Sequence, residues 1–175
     1  MTKQELEMCI DDYGKDIYSF CKHLTNNLLE ADDLYQDTFL MAIELKEKID
    51  YGNNPKSYLL SVALRIWKNK KRKFAWRKRI ADMQPFVNER DADLSNSTEL
   101  SLEERITSQE KDEAIRMAVN QLPEKLKIVV LLFYMEDLST AQIAETVKIP
   151  TGTVLSRLHR ARKILKRNLE DVLNG

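Results

Sequence analysis

The stretch Leu138-Ser139-Thr140-Ala141-Gln142-Ile143-Ala144-Glu145-Thr146-Val147, the turn Lys148-Ile149-Pro150, and the run Thr151-Gly152-Thr153-Val154-Leu155-Ser156-Arg157-Leu158-His159-Arg160-Ala161-Arg162-Lys163-Ile164-Leu165 together decide how this chain folds. Ser139 with Gln142 three residues on is a capping box, in which each side chain satisfies a backbone N–H that a helix start leaves open. It begins a short helix whose inner face is Ile143, Ala144 and Val147, and the small Ala144 lets a second helix cross closely. Pro150 ends what precedes it, and Thr151 is placed to cap the helix that follows. Two helices joined in this way form a helix-turn-helix, a unit that lays its second helix in the major groove of DNA. Lys148 stands where such turns usually hold glycine.

Periodicity then sorts the faces of the second helix. Val154, Leu158, Ala161 and Leu165 recur at i, i+4, i+7 and i+11 and face the core. Ser156, His159, Arg160 and Lys163 fall on the opposite stripe, where only the Arg160 guanidinium offers a rigid fork for guanine. Arg157 and Arg162 lie on the flanks, at phosphate positions. A solvated amphipathic helix would show the same stripes, but the capped helix ahead of it favours DNA reading.

Working outward, the 175 residues hold only 4 Gly and 4 Pro, with 7% aromatics, which disfavours a turn-rich all-β fold. The expected fold is all-α. No apolar run approaches the roughly 18–20 residues that span a bilayer, and the polar start Met1–Glu5 does not read as a secretory signal. Cys9 and Cys21 make neither a disulfide framework nor a zinc site, and Cys21 with His23 lacks a second ligand pair. No metal and no cofactor is expected, and the reducing cytoplasm is the expected compartment.

Equal numbers of acids and bases, 28 of each, hide strong blocks. Residues 51–81 carry ten bases and no acid, whereas residues 82–113 carry ten acids and three bases. The basic block is a helix from about Lys56 to Arg79 that starts apolar and ends charged. It interleaves Arg65, Lys68, Lys71 and Arg72 with Trp67, Phe74 and Trp76, and cations among rings suit melted or single-stranded DNA. Trp67 reads equally as core or as a stacking ring, so Trp76 is the better stacking candidate. Ahead of it lie two helices, 3–28 with Leu6, Ile10, Tyr13, Ile17, Phe20 and Leu24 on one face, and 30–49 with Leu34, Phe39, Ile43 and Leu45. The expected architecture is two small helical domains, 1–81 and 113–175, joined by an acidic flexible tether at 82–112 whose acids compete with DNA for the basic helix.

With these motifs in place, the sequence resembles the bacterial extracytoplasmic-function sigma factors of the sigma-70 family. The resemblance rests on Ala31-Asp32-Asp33-Leu34-Tyr35-Gln36-Asp37-Thr38-Phe39, on Asn54-Pro55-Lys56-Ser57-Tyr58-Leu59-Leu60-Ser61-Val62-Ala63, on Leu122-Pro123-Glu124 and on Gly152-Thr153-Val154-Leu155-Ser156-Arg157-Leu158. It implies that Asp32, Asp33, Leu34, Gln36 and Asp37 contact the clamp coiled coil of core RNA polymerase. It implies that Asn53, Asn54 and the helix after them (Arg65, Lys68, Lys71, Arg72, Trp76) capture the −10 element of promoter DNA. Thr153, Ser156, Arg157, His159, Arg160 and Lys163 would serve the −35 element. Tyr58, Arg65 and Leu155 depart from the usual residues, which bears on promoter sequence. The resemblance further implies an anti-sigma partner, in many relatives membrane-anchored, and a stress or cell-envelope regulon.

An enzyme is disfavoured, because no P-loop, HExxH or Gly-rich nucleotide loop occurs. The stronger rival is a polymerase-independent helix-turn-helix regulator with residues 1–80 as a sensor or dimerisation domain. Such a domain should offer an apolar pocket, whereas this one ends in a dense basic-aromatic helix.

Overall fold

The computed structural model describes residues 2–50, 52–83 and 108–173. Three helices form the first unit: α1 (Lys3–Thr25), α2 (Leu28–Glu44) and α3 (Pro55–Asp82), with a short 3₁₀ turn at Lys46–Lys48. Thr2 and Glu5 close a capping box at the start of α1, and Asn26 ends it in the left-handed conformation. Asn27 caps α2 by accepting from the Leu29 and Glu30 N–H groups. Asn54 caps α3 through Ser57 N–H, and Pro55 takes the first helical position, where its missing donor costs nothing.

Four helices form the second unit: α4 (Ser108–Asn120), α5 (Glu124–Val130), α6 (Thr140–Val147) and α7 (Thr151–Leu173). A π-helical turn at Leu131–Met135 follows α5 directly. The apolar run Ile128–Phe133 is buried from Ile128 to Leu132, with Phe133 half-buried, and α7 crosses α4, α5 and α6. Among the described residues no helix is long and apolar enough to cross a membrane.

Several expectations change in detail. Leu34 and Phe39 are buried on α2 as expected, together with Ala31, Thr38 and Ala42, while Ile43, expected inside, is exposed. Small size hid the two alanines and the hydroxyl hid Thr38, which can lie in the core because its Oγ1 donates to the Leu34 carbonyl. On α1, Ile10 faces outward, while Cys9 and Cys21 are buried. Burial, with the nearby charge of Glu136 adding to it, pushes the Cys21 thiol up to about 12. The expected tether overlaps helix at both ends, since Asp82 closes α3 and residues 108–112 open α4. Glu110 in that first turn suits the positive helix end, so acidity there supports a helix start. The remainder of the tether, and with it the expected competition for the basic helix, lies outside the described residues.

The two units are not apart. Buried Leu122, Leu126 and Ile128 belong to the same apolar cluster as Phe20, Cys21 and Leu24, α6 packs on α3, and the π-helical turn touches α1.

Candidate nucleic-acid interface

The helix-turn-helix is built as its sequence specifies. Ser139 Oγ accepts from Gln142 N–H and the Gln142 side chain accepts from Ser139 N–H, completing the capping box. Ile143, Val154, Leu158 and Ala161 are buried where α6 and α7 cross. Thr151 proves to be the first helical residue of α7 and not its cap: the Pro150 carbonyl accepts from the Thr153 and Val154 N–H groups. Lys148 ends α6 in the left-handed region at φ 59°, a conformation that crowds its Cβ. Lys148→Gly should therefore raise stability by about 0.5–1 kcal/mol, checked by urea unfolding; equal or lower stability would show that this turn is not strained.

On α7 the outward stripe is open to solvent: Ser156, His159, Arg160 and Lys163 are exposed, and Thr153 and Arg157 are half-buried. Ser156 Oγ donates to the Thr153 carbonyl, which leaves its lone pairs facing outward as acceptors. Arg162 departs from its expected role. Its Nε donates to Tyr134 Oη at 2.6 Å, and its guanidinium lies 5.6 Å from the Phe133 ring centroid and 5.7 Å from that of Tyr134. It ties α7 to the π-helical turn instead of standing ready for a phosphate. Arg162→Ala should destabilise the second unit by about 1 kcal/mol, the worth of a cation–π contact with a hydrogen bond at a partly exposed site. Thermal unfolding checks this; an unchanged midpoint would return Arg162 to the phosphate-contact set.

The basic helix divides by face. Arg65, Lys68, Arg72 and Trp76 share one stripe of α3 at i, i+3, i+7 and i+11; all four are exposed, Trp76 at 65%. Asn53 and Asn54 lie at the head of that stripe. Lys71, expected among them, lies on another face, where it stacks over Trp67 at 4.6 Å and pairs with Glu124 of α5. Trp67 is half-buried against the core, which settles its two readings toward packing.

The acidic motif on α2 is likewise divided. Asp32 accepts from Tyr18 Oη at 2.6 Å, and Asp37 pairs with Lys70 at 2.6 Å. Asp33 and Gln36 are exposed. Leu34 is 1% exposed and is therefore a core residue, not a surface contact. Sequence reasoning missed Leu29, Leu40 and Ile43, exposed apolar residues at helical spacing on the outer face of α2. Of these, the sequence assigns Ile43 to the inward face with Leu34 and Phe39, which are buried there, and assigns Leu29 and Leu40 to no face.

Residues 9–77 match the family described as Sigma-70 region 2, and residues 112–165 match Sigma-70, region 4. The ECF RNA polymerase sigma factor SigW of Bacillus subtilis is 27% identical over 174 residues, covering 93% of this chain and 88% of that protein. RNA polymerase sigma factor SigV of the same organism is 29% identical over 165 residues, covering 94% and 91%. Among solved structures, the sigma factor RpoE of Bartonella quintana, in complex with the anti-sigma factor NepR, is similar with TM-score 0.70 and 23% identity, over 96% of each chain. CnrH in complex with the cytosolic domain of CnrY is similar with TM-score 0.64 and 17% identity, over 97% of this chain and 90% of that one. Both share the all-helical fold. Two sigma-70 regions in order, carried on these helices, leave one reading: the chain belongs to the sigma-70 family, as an extracytoplasmic-function sigma factor that directs core RNA polymerase to promoters.

Proposed function

We propose how the surfaces of this sigma factor divide that work. The first unit, ending with α3 at Asp82, holds polymerase and reads the −10 element; the second, beginning with α4 at Ser108, reads the −35 element. Asp32, Asp33 and Gln36, with Leu29, Leu40 and Ile43 as apolar anchors, face the clamp coiled coil. An acidic stripe there suits a protein partner and would repel DNA. Asn53, Asn54, Arg65, Lys68, Arg72 and Trp76 capture the melted −10 strand, with the ring stacking on a base and the cations holding the backbone. Thr153, Ser156, His159 and Arg160 face base edges in the major groove, while Arg157 and Lys163 hold phosphates.

The observation that carries this reading is the exposed polar stripe of α7 on a capped helix-turn-helix whose other face buries Val154, Leu158 and Ala161. The chain acts as a non-enzymatic subunit in the cytoplasm. An anti-sigma partner fits the same reading, supported by the related factors solved with NepR and CnrY. Run-off transcription tests it: core enzyme with this chain should start from defined promoters that core enzyme alone ignores. Promoter binding without polymerase, and no start-site selection with it, would favour the independent regulator instead.

A further inference from the structure

Trp67, Lys71, Phe74 and Lys78 recur at i, i+4, i+7 and i+11 on the face of α3 opposite to the stripe of Arg65, Lys68, Arg72 and Trp76. This second face borders a groove of about 970 Å³, whose other walls come from the end of α1, the first turns of α2, the end of α4 and α5. That is the size of a large small-molecule site. Six of its lining residues are bases and three, Glu30, Asp33 and Glu124, are acids, which leaves the groove with a net charge of +3.

Two polar groups in the wall have no partner among the described residues. Lys127 of α5 is only 7% exposed, and Glu124, the acid that acts on it, is already paired with Lys71. Burial, with the charge of Lys71 adding to it, lowers the Lys127 pKa against the pull of Glu124. At the end of α4, Asn120 holds a buried Oδ1 that accepts from no donor. Buried polar groups are normally satisfied, and an unpaired ammonium is among the most costly groups to bury. The two orphans want opposite things, an anion for Lys127 and an N–H or O–H donor for Asn120. Phe74, 71% exposed, adds a bare aromatic ring to the same groove.

A phosphate, a planar ring and a ring-borne donor occur together in one class of small molecule. We propose that this groove binds a nucleoside polyphosphate, with its phosphates on Lys127, Arg77 and Lys78, its base against Phe74, and a base N–H donating to Asn120 Oδ1. Glu30 and Asp33 on the α2 wall disfavour phosphate there and so direct it toward α5. This site lies on the face of α3 that the −10 reading does not use.

The test titrates the full chain, without polymerase, with ATP, GTP, CTP, UTP and inorganic tripolyphosphate by calorimetry. At least one nucleotide should bind at least fivefold more tightly than tripolyphosphate, as stacking of one base on an aromatic ring requires. Lys127→Met, which keeps the apolar stem and removes the ammonium, should weaken that nucleotide at least tenfold. The same variant should leave the unfolding midpoint of the free chain unchanged or raised, because no ion pair is lost. Phe74→Leu, at an exposed position, should close the gap between the nucleotide and tripolyphosphate. No nucleotide binding at about 1 mM, or binding that Lys127→Met leaves unchanged, would overturn the site. Tripolyphosphate binding as tightly as every nucleotide would overturn the base contact. A labelled single-stranded oligonucleotide that needs Lys127, while mononucleotides fail to bind, would give the groove to a nucleic-acid strand and overturn the small-ligand assignment.

Discussion

Replacing Arg160 with alanine will relax base preference at one position of the −35 element and leave the other positions as they were. Arg160 is exposed on the outward stripe of α7, one turn beyond Ser156, and none of its neighbours among the described residues holds its guanidinium as Tyr134 and Phe133 hold that of Arg162. A bidentate contact to a base edge is worth about 1–3 kcal/mol of discrimination, roughly a 5- to 150-fold change in preference. Lys163→Ala should instead weaken all promoter variants alike and flatten the salt dependence, because a phosphate contact carries no sequence information. The measurement is transcription from a set of single-position −35 variants. A uniform loss with Arg160→Ala would make Arg160 a phosphate clamp and would shift base reading to Ser156 and His159.

The second large effect is expected on the opposite side of the molecule. Reversing Asp32 and Asp33 to lysine should weaken core-polymerase binding by at least tenfold, about 1.4 kcal/mol at a polar interface rim. The helices should survive, because both carboxylates are exposed and the bond that Asp32 accepts from Tyr18 Oη lies at the surface. Leu40→Ala, on the same outer face, should add to the loss by removing an apolar anchor. Unchanged pull-down of core enzyme by the double reversal would move the polymerase surface off α2.

Much of this molecule could be read from its residues. The capping box at Ser139, the helix that begins near Lys56 and the buried residues Val154, Leu158 and Ala161 of α7 are local signals, and local signals survive in a bare sequence. What escaped was set by distant partners. Leu34 and Ile43 both look apolar, and only packing against α1 and α3 decides that one is core and the other surface. Arg162 resembles a phosphate contact until Tyr134, 28 residues earlier, is folded against it. Lys56 and Glu136 are 80 residues apart, and neither lies on a periodic stripe that would announce their pairing.

α3 is two helices in one with respect to stability. Its first three turns bury Leu59, Leu60, Val62, Ala63 and Leu64, whereas every described residue from Lys68 to Met83 is exposed. The distal half carries eight bases between Lys68 and Arg79 and no acid, so it gains little from burial and repels itself along its length. Amide exchange should accordingly be slow up to about Ile66 and rise steeply beyond it, within one unbroken helix. A nucleic-acid strand laid along that half would neutralise the repulsion and stiffen the last turns. Capture of such a strand would then carry an ordering entropy of the helix itself, and its heat and its affinity would not move together when bases such as Lys73 or Lys78 are replaced.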